Sequence, residues 1–357
     1  ITLGASNLAQ GELFNGSKET ISNTNFKGDK VALTIFMVSS QGFVDATSYL
    51  DLELGQTAKF EAPKVIDGFR NPSTFATLEY KNLPDFYSEI FVALPGQVYK
   101  TLFQGSVAPG EISAFSASEE FPLNLVTVHT GVSIPKYQII TRKPDEHVVL
   151  DFDKGVNMEN LHQIRFEDSG LSNFDFRNTV HGHMDNIRYP YLISNRSFSP
   201  RSATFTIHTP EGFSDFRTSF SAIGDEISYY QNSRGEIPSE FVLLDSKIGL
   251  VTDNFENFDI TISGSDDISY VFSSWYLAEG GFNWGVYSGG GMTNKYQLHK
   301  LPQEVETQMD VLSRNDELSL SYIDVVSAGS YTYPDYVNAF KDGREEPNMK
   351  RYMIKRF

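Results

Sequence analysis

The sequence predicts an all-β protein made of tandem β-sandwich modules, immunoglobulin-like or jelly-roll in type, with few short helices. Three observations carry that expectation. Short runs rich in Val, Ile, Phe, Tyr and Thr recur along the chain. Between them, 27 glycines, 15 prolines and many Asn/Asp/Ser clusters cut the 357 residues into pieces too short for alternating helix–strand units. No 3.6-residue apolar period is sustained over most of the chain.

The runs follow in order. Lys30 to Val38 reads as a largely buried strand, since its apolar stretch is almost unbroken. Residues 47–54 and 57–61 come next, divided by Gly55-Gln56, and then 75–80, 90–94 and 123–129. The later ones are 138–141, 147–152, 203–208, 241–244, 258–263 and 268–276. Two segments depart from the pattern. Gln303 to Ser313 follows Pro302 and sets Val305, Met309 and Leu312 on one helical face. Pro334 to Phe340 has Pro at its start and Gly343 beyond its end, the punctuation of a one- or two-turn helix. Pro135 and Pro144 bracket a segment in which a domain boundary is expected near residue 143. This divides the chain into an N-terminal sandwich (1–143), a second sandwich or jelly roll (144–300) and a C-terminal extension packing on the second domain (301–357).

Composition narrows the function. Apolar residues make up 40%, enough for sizeable cores, yet no run approaches the roughly 20 apolar residues of a membrane helix. A net charge of −17 repels phosphate backbones, so no nucleic-acid partner is expected. The chain has no cysteine, which removes disulfides, thiolate nucleophiles and Cys-ligated metals. It opens Ile1-Thr2-Leu3-Gly4, and the expectation is a mature, exported product whose targeting segment has been removed. Asn15-Gly16-Ser17 and Asn195-Arg196-Ser197 match the glycosylation sequon. Phosphate-loop, dinucleotide, His-Glu-x-x-His and Gly-x-Ser-x-Gly motifs are absent. Ser133-Ile-Pro-Lys136 matches Ser-x-x-Lys, but Pro135 opposes the helix that chemistry needs. A binding protein is therefore favoured over an enzyme.

Four features bear chemistry. Trp275-Tyr276 and Glu279-Gly-Gly-Phe282-Asn283-Trp284-Gly-Val-Tyr287 hold both tryptophans in a Gly-rich setting. Flat rings there suit stacking on sugars or anchoring a protein, with Glu279 and Asn283 orienting hydroxyls; the alternative is a hairpin whose rings close a core. His181, His183 and Asp185 alternate, so a strand would aim all three at one metal centre; the alternative is a solvated turn at Gly182. The spacing is similar to the His-x-His-x-Asp-His motif of metallo-β-lactamase-type hydrolases, with Asn186 in place of the last His. Asp151, Asp153 and Asn157 space hard oxygens as calcium ligands do, although His162 stands where an EF-hand loop needs Glu; a polar turn is the alternative. Met349 to Phe357 carries four cations and no acid, the pattern of a protected edge strand or of a docking strip for an anionic partner.

The first 100 residues, with Gly11-Glu12-Leu13, the Lys30 to Val38 run, Leu50-Asp-Leu-Glu-Leu54, Gly55 and Lys59-Phe60-Glu61, resemble a β-sandwich module. Such modules recur in secreted and surface lipoproteins of the Bacteroidetes, and the Asn/Asp/Gly/Tyr/Phe-rich remainder is similar to those proteins in texture. The resemblance implies a complex-bound or lipid-anchored surface protein, its anchor upstream of residue 1, working in glycan capture or outer-membrane assembly. Together with the residues, it leads to a non-enzymatic, extracellular or cell-surface protein that binds a glycan or a protein partner. The alternatives are a metal-dependent or carbohydrate-active hydrolase and a structural component of fibres or a surface layer.

Overall fold

Period-two alternation dominates even where apolar runs are absent, and it builds strands nearly throughout. The computed structural model describes residues 2–3, 29–38, 44–53, 75–82, 89–94, 97–103, 112–116, 123–129, 134–141, 145–166, 173–185, 190–198, 204–255, 257–277, 282–291, 293–296, 318–342 and 347–357. The expected strand at 57–61, the helix at 303–313 and the sequon at Asn15 lie outside these residues.

In chain order the strands begin with β1 (Thr2–Leu3), β2 (Lys30–Val38), β3 (Val44–Glu53), β4 (Phe75–Lys81), β5 (Glu89–Leu94) and β6 (Gln97–Phe103). There follow β7 (Ile112–Ser116), β8 (Leu123–His129), β9 (Lys136–Thr141), β10 (His147–Asp151), β11 (Val156–Asn157) and β12 (Asn160–Phe166). The middle of the chain supplies β13 (Asp175–Met184), β14 (Tyr191–Phe198), β15 (Thr204–Thr209), β16 (Phe213–Ile223), β17 (Ile227–Gly235) and β18 (Glu240–Phe241). Last come β19 (Ser246–Asn254), β20 (Asn257–Gly264), β21 (Tyr270–Leu277), β22 (Phe282–Gly289), β23 (Thr293–Tyr296), β24 (Leu318–Ser327) and β25 (Met349–Arg356), with a helix, α1 (Tyr333–Asp342), before β25. The protein is all-β, as its sequence predicts.

The chain forms two units that are not consecutive. The first combines residues 1–64, 223–230 and 243–357; the second combines 65–222 and 231–242. The sequence places a boundary near residue 143, but strands on either side of it share a sheet: β4 and β10 pair in parallel, with Thr77 against His147 and Tyr80 against Leu150. Likewise β3 pairs in parallel with β22, Ala46 against Trp284. Parallel pairing needs long crossovers, which short-range sequence signals do not reveal.

In the first unit, strands run β1-β2-β3-β22-β21-β24-β25 in one sheet, and β19-β20-β23 form a second. Their facing sides enclose one core of Ala46, Leu50, Ile248, Phe255, Phe258, Ile260, Trp275, Trp284, Ile323 and Met353. On the other side of the larger sheet α1 packs over part of the surface. Thr332 and Asp335 cap this helix reciprocally, the Asp335 carboxylate accepting from Thr332 N at 2.8 Å. Tyr333 and Val337 pack on Leu33, Tyr49, Leu52, Tyr270 and Val326. The short helix expected at 334–340 is thus present.

The C-terminal strand is internal rather than an edge. It pairs with β24, Tyr322 against Arg356, while Arg356 N donates to Glu226 O at 2.8 Å on its other side. Its cations also meet partners within the unit. Arg351 pairs with Asp266 at 3.0 Å, Lys350 lies over the rings of Tyr270 and Tyr352, Lys355 donates to Ile248 O, and Arg356 donates to Ser228 Oγ and Gly224 O. Neither an edge-protecting nor a docking role is needed for that charge.

In the second unit, β10-β4-β7 and β11-β9-β8-β5-β6 enclose Leu78, Tyr80, Ile90, Val92, Val126, Leu150 and Phe152. The small sheet β15-β12-β18 meets β13 and β16 through aromatic contacts, Phe166 with Phe176 and Phe220 with Phe241.

Trp284 is 2% exposed and touches Phe36, Phe255 and Phe282. Trp284→Ala is expected to cost about 3–5 kcal/mol through the cavity it leaves, read as a lower urea midpoint, while Tyr276→Ala on the neighbouring strand leaves the midpoint near that of the parent.

Candidate functional site

The aromatic segment resolves into two sets, because successive strand residues face opposite ways. Trp275 and Trp284 stand directly opposite each other on β21 and β22 and both point into the core of the first unit. Each indole N–H is satisfied there: Trp275 Nε1 donates to Ser273 Oγ at 3.0 Å, and Trp284 Nε1 to Ser48 Oγ at 2.8 Å. Ser273 in turn pairs with the Tyr296 hydroxyl, and Ser48 with Thr34 at 2.7 Å. Phe282 is buried with them. These three rings hold the sandwich together and are closed to a ligand, contrary to the binding role the sequence suggests for them. Glu279 lies outside the described residues.

The residues between them go to the other face. Tyr276 is 40% exposed, and its register partner Asn283 donates to Asp45 Oδ1 at 3.4 Å on β3. The registers of β24, β21, β22 and β3 lay out successive rows on this face. The first is Ser319, Tyr276, Asn283 and Asp45; the second is Tyr322, Ser274, Gly285 and Thr47; the third is Asp324, Phe272, Tyr287 and Tyr49. Gly285 is forced by packing, since a Cβ there would meet the Phe272 ring at 2.6 Å. The third row runs under α1: Tyr287 stacks on Tyr49 at 5.3 Å, touches Tyr336, and its carbonyl accepts from the Tyr333 hydroxyl. Tyr287 is therefore part of the helix contact. Burial raises the phenol pKa values of Tyr49, Tyr287, Tyr333 and Tyr336, so all stay protonated and can donate. The first two rows form an aromatic and polar shelf beside the helix.

Asp324 marks the inner limit of the shelf, between Phe272 and Ile354 in register. Its Oδ1 is buried without a hydrogen-bond partner. Burial pushes its pKa up to about 7, with Lys350 and Arg356 pulling the other way. Sequence reasoning passed over it, although an Asp inside Tyr-Ile-Asp-Val-Val was a visible signal.

The two metal candidates fare differently from their pattern. His181 and His183 do share a face of β13, but the strand ends at Met184, and Asp185 sits exposed in the turn beyond it. The cations Arg217 and Arg234 act on His183 instead, and burial with Arg217 lowers the pKa of both imidazoles. Among the described residues no group of three His, Asp or Glu side chains is placed to hold a metal ion. Asp151 caps the short helical turn Phe152–Lys154, its Oδ1 accepting from Asn82 at 2.8 Å and from Asp153 N at 3.2 Å. Lys154 lies 3.8 Å from its other oxygen, and Asp153 and Asn157 are exposed. The Asn82 hydrogen bond, chiefly, lowers the Asp151 pKa. Asp151 thus serves a turn, the alternative its sequence already offered.

Compared with known proteins, the chain matches no family model and no curated sequence.

A carboxyl that ionises near 4 in the unfolded chain and near 7 in the fold retains a proton that the unfolded state releases between those values. The stability tied to neutral Asp324 is full below about 4 and lost as pH rises through about 7. Asp324→Asn is therefore expected to raise the melting temperature more at pH 8 than at pH 5; an equal shift at both would refute the assignment.

Proposed function

We propose that the chain is a non-enzymatic, exported or cell-surface β protein that binds a glycan on the shelf formed by Tyr276, Asn283, Asp45, Ser274 and Tyr322. The observation that carries this reading is the row Tyr276–Asn283–Asp45: an exposed aromatic beside a carboxamide hydrogen-bonded to a carboxylate, on three adjoining strands. A sugar offers one apolar face of C–H groups and an equatorial rim of hydroxyls. The Tyr276 ring suits the first, while Asn283 and Asp45 supply the donors and acceptors that vicinal hydroxyls need. Strands position these groups more firmly than loops do, so little ordering is required on binding. The acidic charge and the missing catalytic motifs favour binding over turnover. The similarity of texture to Bacteroidetes surface lipoproteins agrees with the location.

A second reading, a subunit of a surface assembly, is favoured by one observation in the second unit. Val156 and Ile139 are exposed on one face of β11 and β9, with Tyr137 opposite Val156 in register. An apolar patch of this kind suits a protein partner.

A glycan array followed by calorimetry on the best ligand tests the first reading. Tyr276→Ala is expected to weaken binding by about tenfold or more, the worth of one stacked ring and its hydroxyl, with the fold unchanged. Unaltered affinity, or an array without any ligand, would count against it. A stoichiometric protein companion lost on Ile139→Lys would favour the assembly instead.

A further inference from the structure

We propose that the second unit carries a binding site for an oxyanion, a sulfate, phosphate or carboxylate group, built from His183, His181 and Arg217, with Arg234 alongside.

The site follows from strand alternation. On β13, Phe176, Asn178, Val180 and Gly182 are buried, and a Cβ on Gly182 would meet Ile193 at 2.6 Å and Phe213 at 2.7 Å. That face is full, so His181 and His183 go to the opposite one. On neighbouring β16, Phe216 and Phe220 are buried, while Asp215 and Arg217 are turned away from them. Arg234 of β17 reaches the Asp215 carboxylate, Nε to Oδ2 at 3.4 Å. Three adjacent strands thus bring two guanidinium groups, two imidazoles and one carboxylate together.

Charge bookkeeping leaves this cluster one cation in excess. Asp215 answers Arg234. Among the described residues no carboxylate pairs with Arg217, in a chain where 46 acids outnumber 29 bases. Arg217 is exposed, so among the described residues its guanidinium stays open to an anion from solution. The second observation is independent of charge: His183 Nε2 is buried and has no hydrogen-bond partner. Buried polar atoms are ordinarily satisfied. Burial first, and then Arg217, favour the neutral form of both rings, with Asp215 opposing at His183. A neutral ring can present Nε2–H as a donor. What a buried N–H beside the exposed Arg217 guanidinium lacks is an acceptor with negative charge, and an oxyanion supplies it with no proton of its own to place. The same guanidinium groups disfavour a metal cation, and the spacing that resembles a metal motif then serves the opposite charge.

Titration of the full chain with sodium phosphate, sodium sulfate and glucuronate tests this, with sodium chloride at matched ionic strength as the control. Histidine ring nitrogen signals and calorimetry are the readouts. The inference expects at least one of the three to shift His183 Nε2, and the strongest responder identifies the group. Arg217→Ala should weaken that binding by about tenfold or more, as for a charge-assisted hydrogen bond. Arg165→Ala, which removes a surface cation of β12 paired with Glu240, should leave it unchanged. Arg217 is exposed, so its replacement is not expected to disturb the fold. No shift beyond the chloride control, or equal weakening by both substitutions, would overturn the proposal.

Discussion

Trp275 and Trp284 face each other across β21 and β22, and each ring must stay dry except at a single nitrogen. Ser273 and Ser48 meet that demand, and each serine is itself held by a second hydroxyl, Tyr296 or Thr34. The contacts tie together β2, β3, β21, β22 and β23, strands drawn from both ends of the chain. An indole left with an unpaired N–H inside such a core would lose much of what its burial contributes. With the tryptophans facing inward, alternation forces Tyr276, Ser274 and Asn283 outward. The shelf is a by-product of the core.

Much of the architecture was legible beforehand. The apolar runs at 30–38, 75–80, 90–94, 123–129 and 258–263 are strands with nearly those bounds, since β-branched and aromatic residues concentrate in them. Polar strands were among those passed over: β16 reads Phe-Ser-Asp-Phe-Arg-Thr-Ser-Phe-Ser-Ala-Ile and β17 Ile-Ser-Tyr-Tyr-Gln-Asn-Ser-Arg-Gly. Their Ser, Thr and Asn look like turn chemistry locally, although the two strands pair with each other across residues 224–226. The division into units rests on long-range pairing and was hidden for that reason.

The candidate site was half legible. Composition drew attention to the right segment, Tyr276 and Asn283 included, but ranked with them the tryptophans, whose size sends them to the core. The histidines were recognised as sharing a face, which they do. Their partners were not, because Asp215, Arg217 and Arg234 lie on other strands, and sequence spacing says nothing about what stands beside a strand. Charge shows the same limit: the basic C-terminal strand looked like a free surface, yet Asp266, Tyr270, Ser228 and backbone carbonyls absorb its cations.

The parallel pairing of β3 with β22 has a bearing on synthesis. Ser48 receives the Trp284 N–H from a residue 236 positions later. At ordinary elongation rates of about 5–20 residues per second, tens of seconds separate the two on the ribosome. During that interval β2 and β3 can pair with each other, but one edge of the hairpin and its apolar face stay open. The nascent chain therefore needs a guardian or a slow, late docking step, and the second unit, whose residues are all made before β22, has time to fold first.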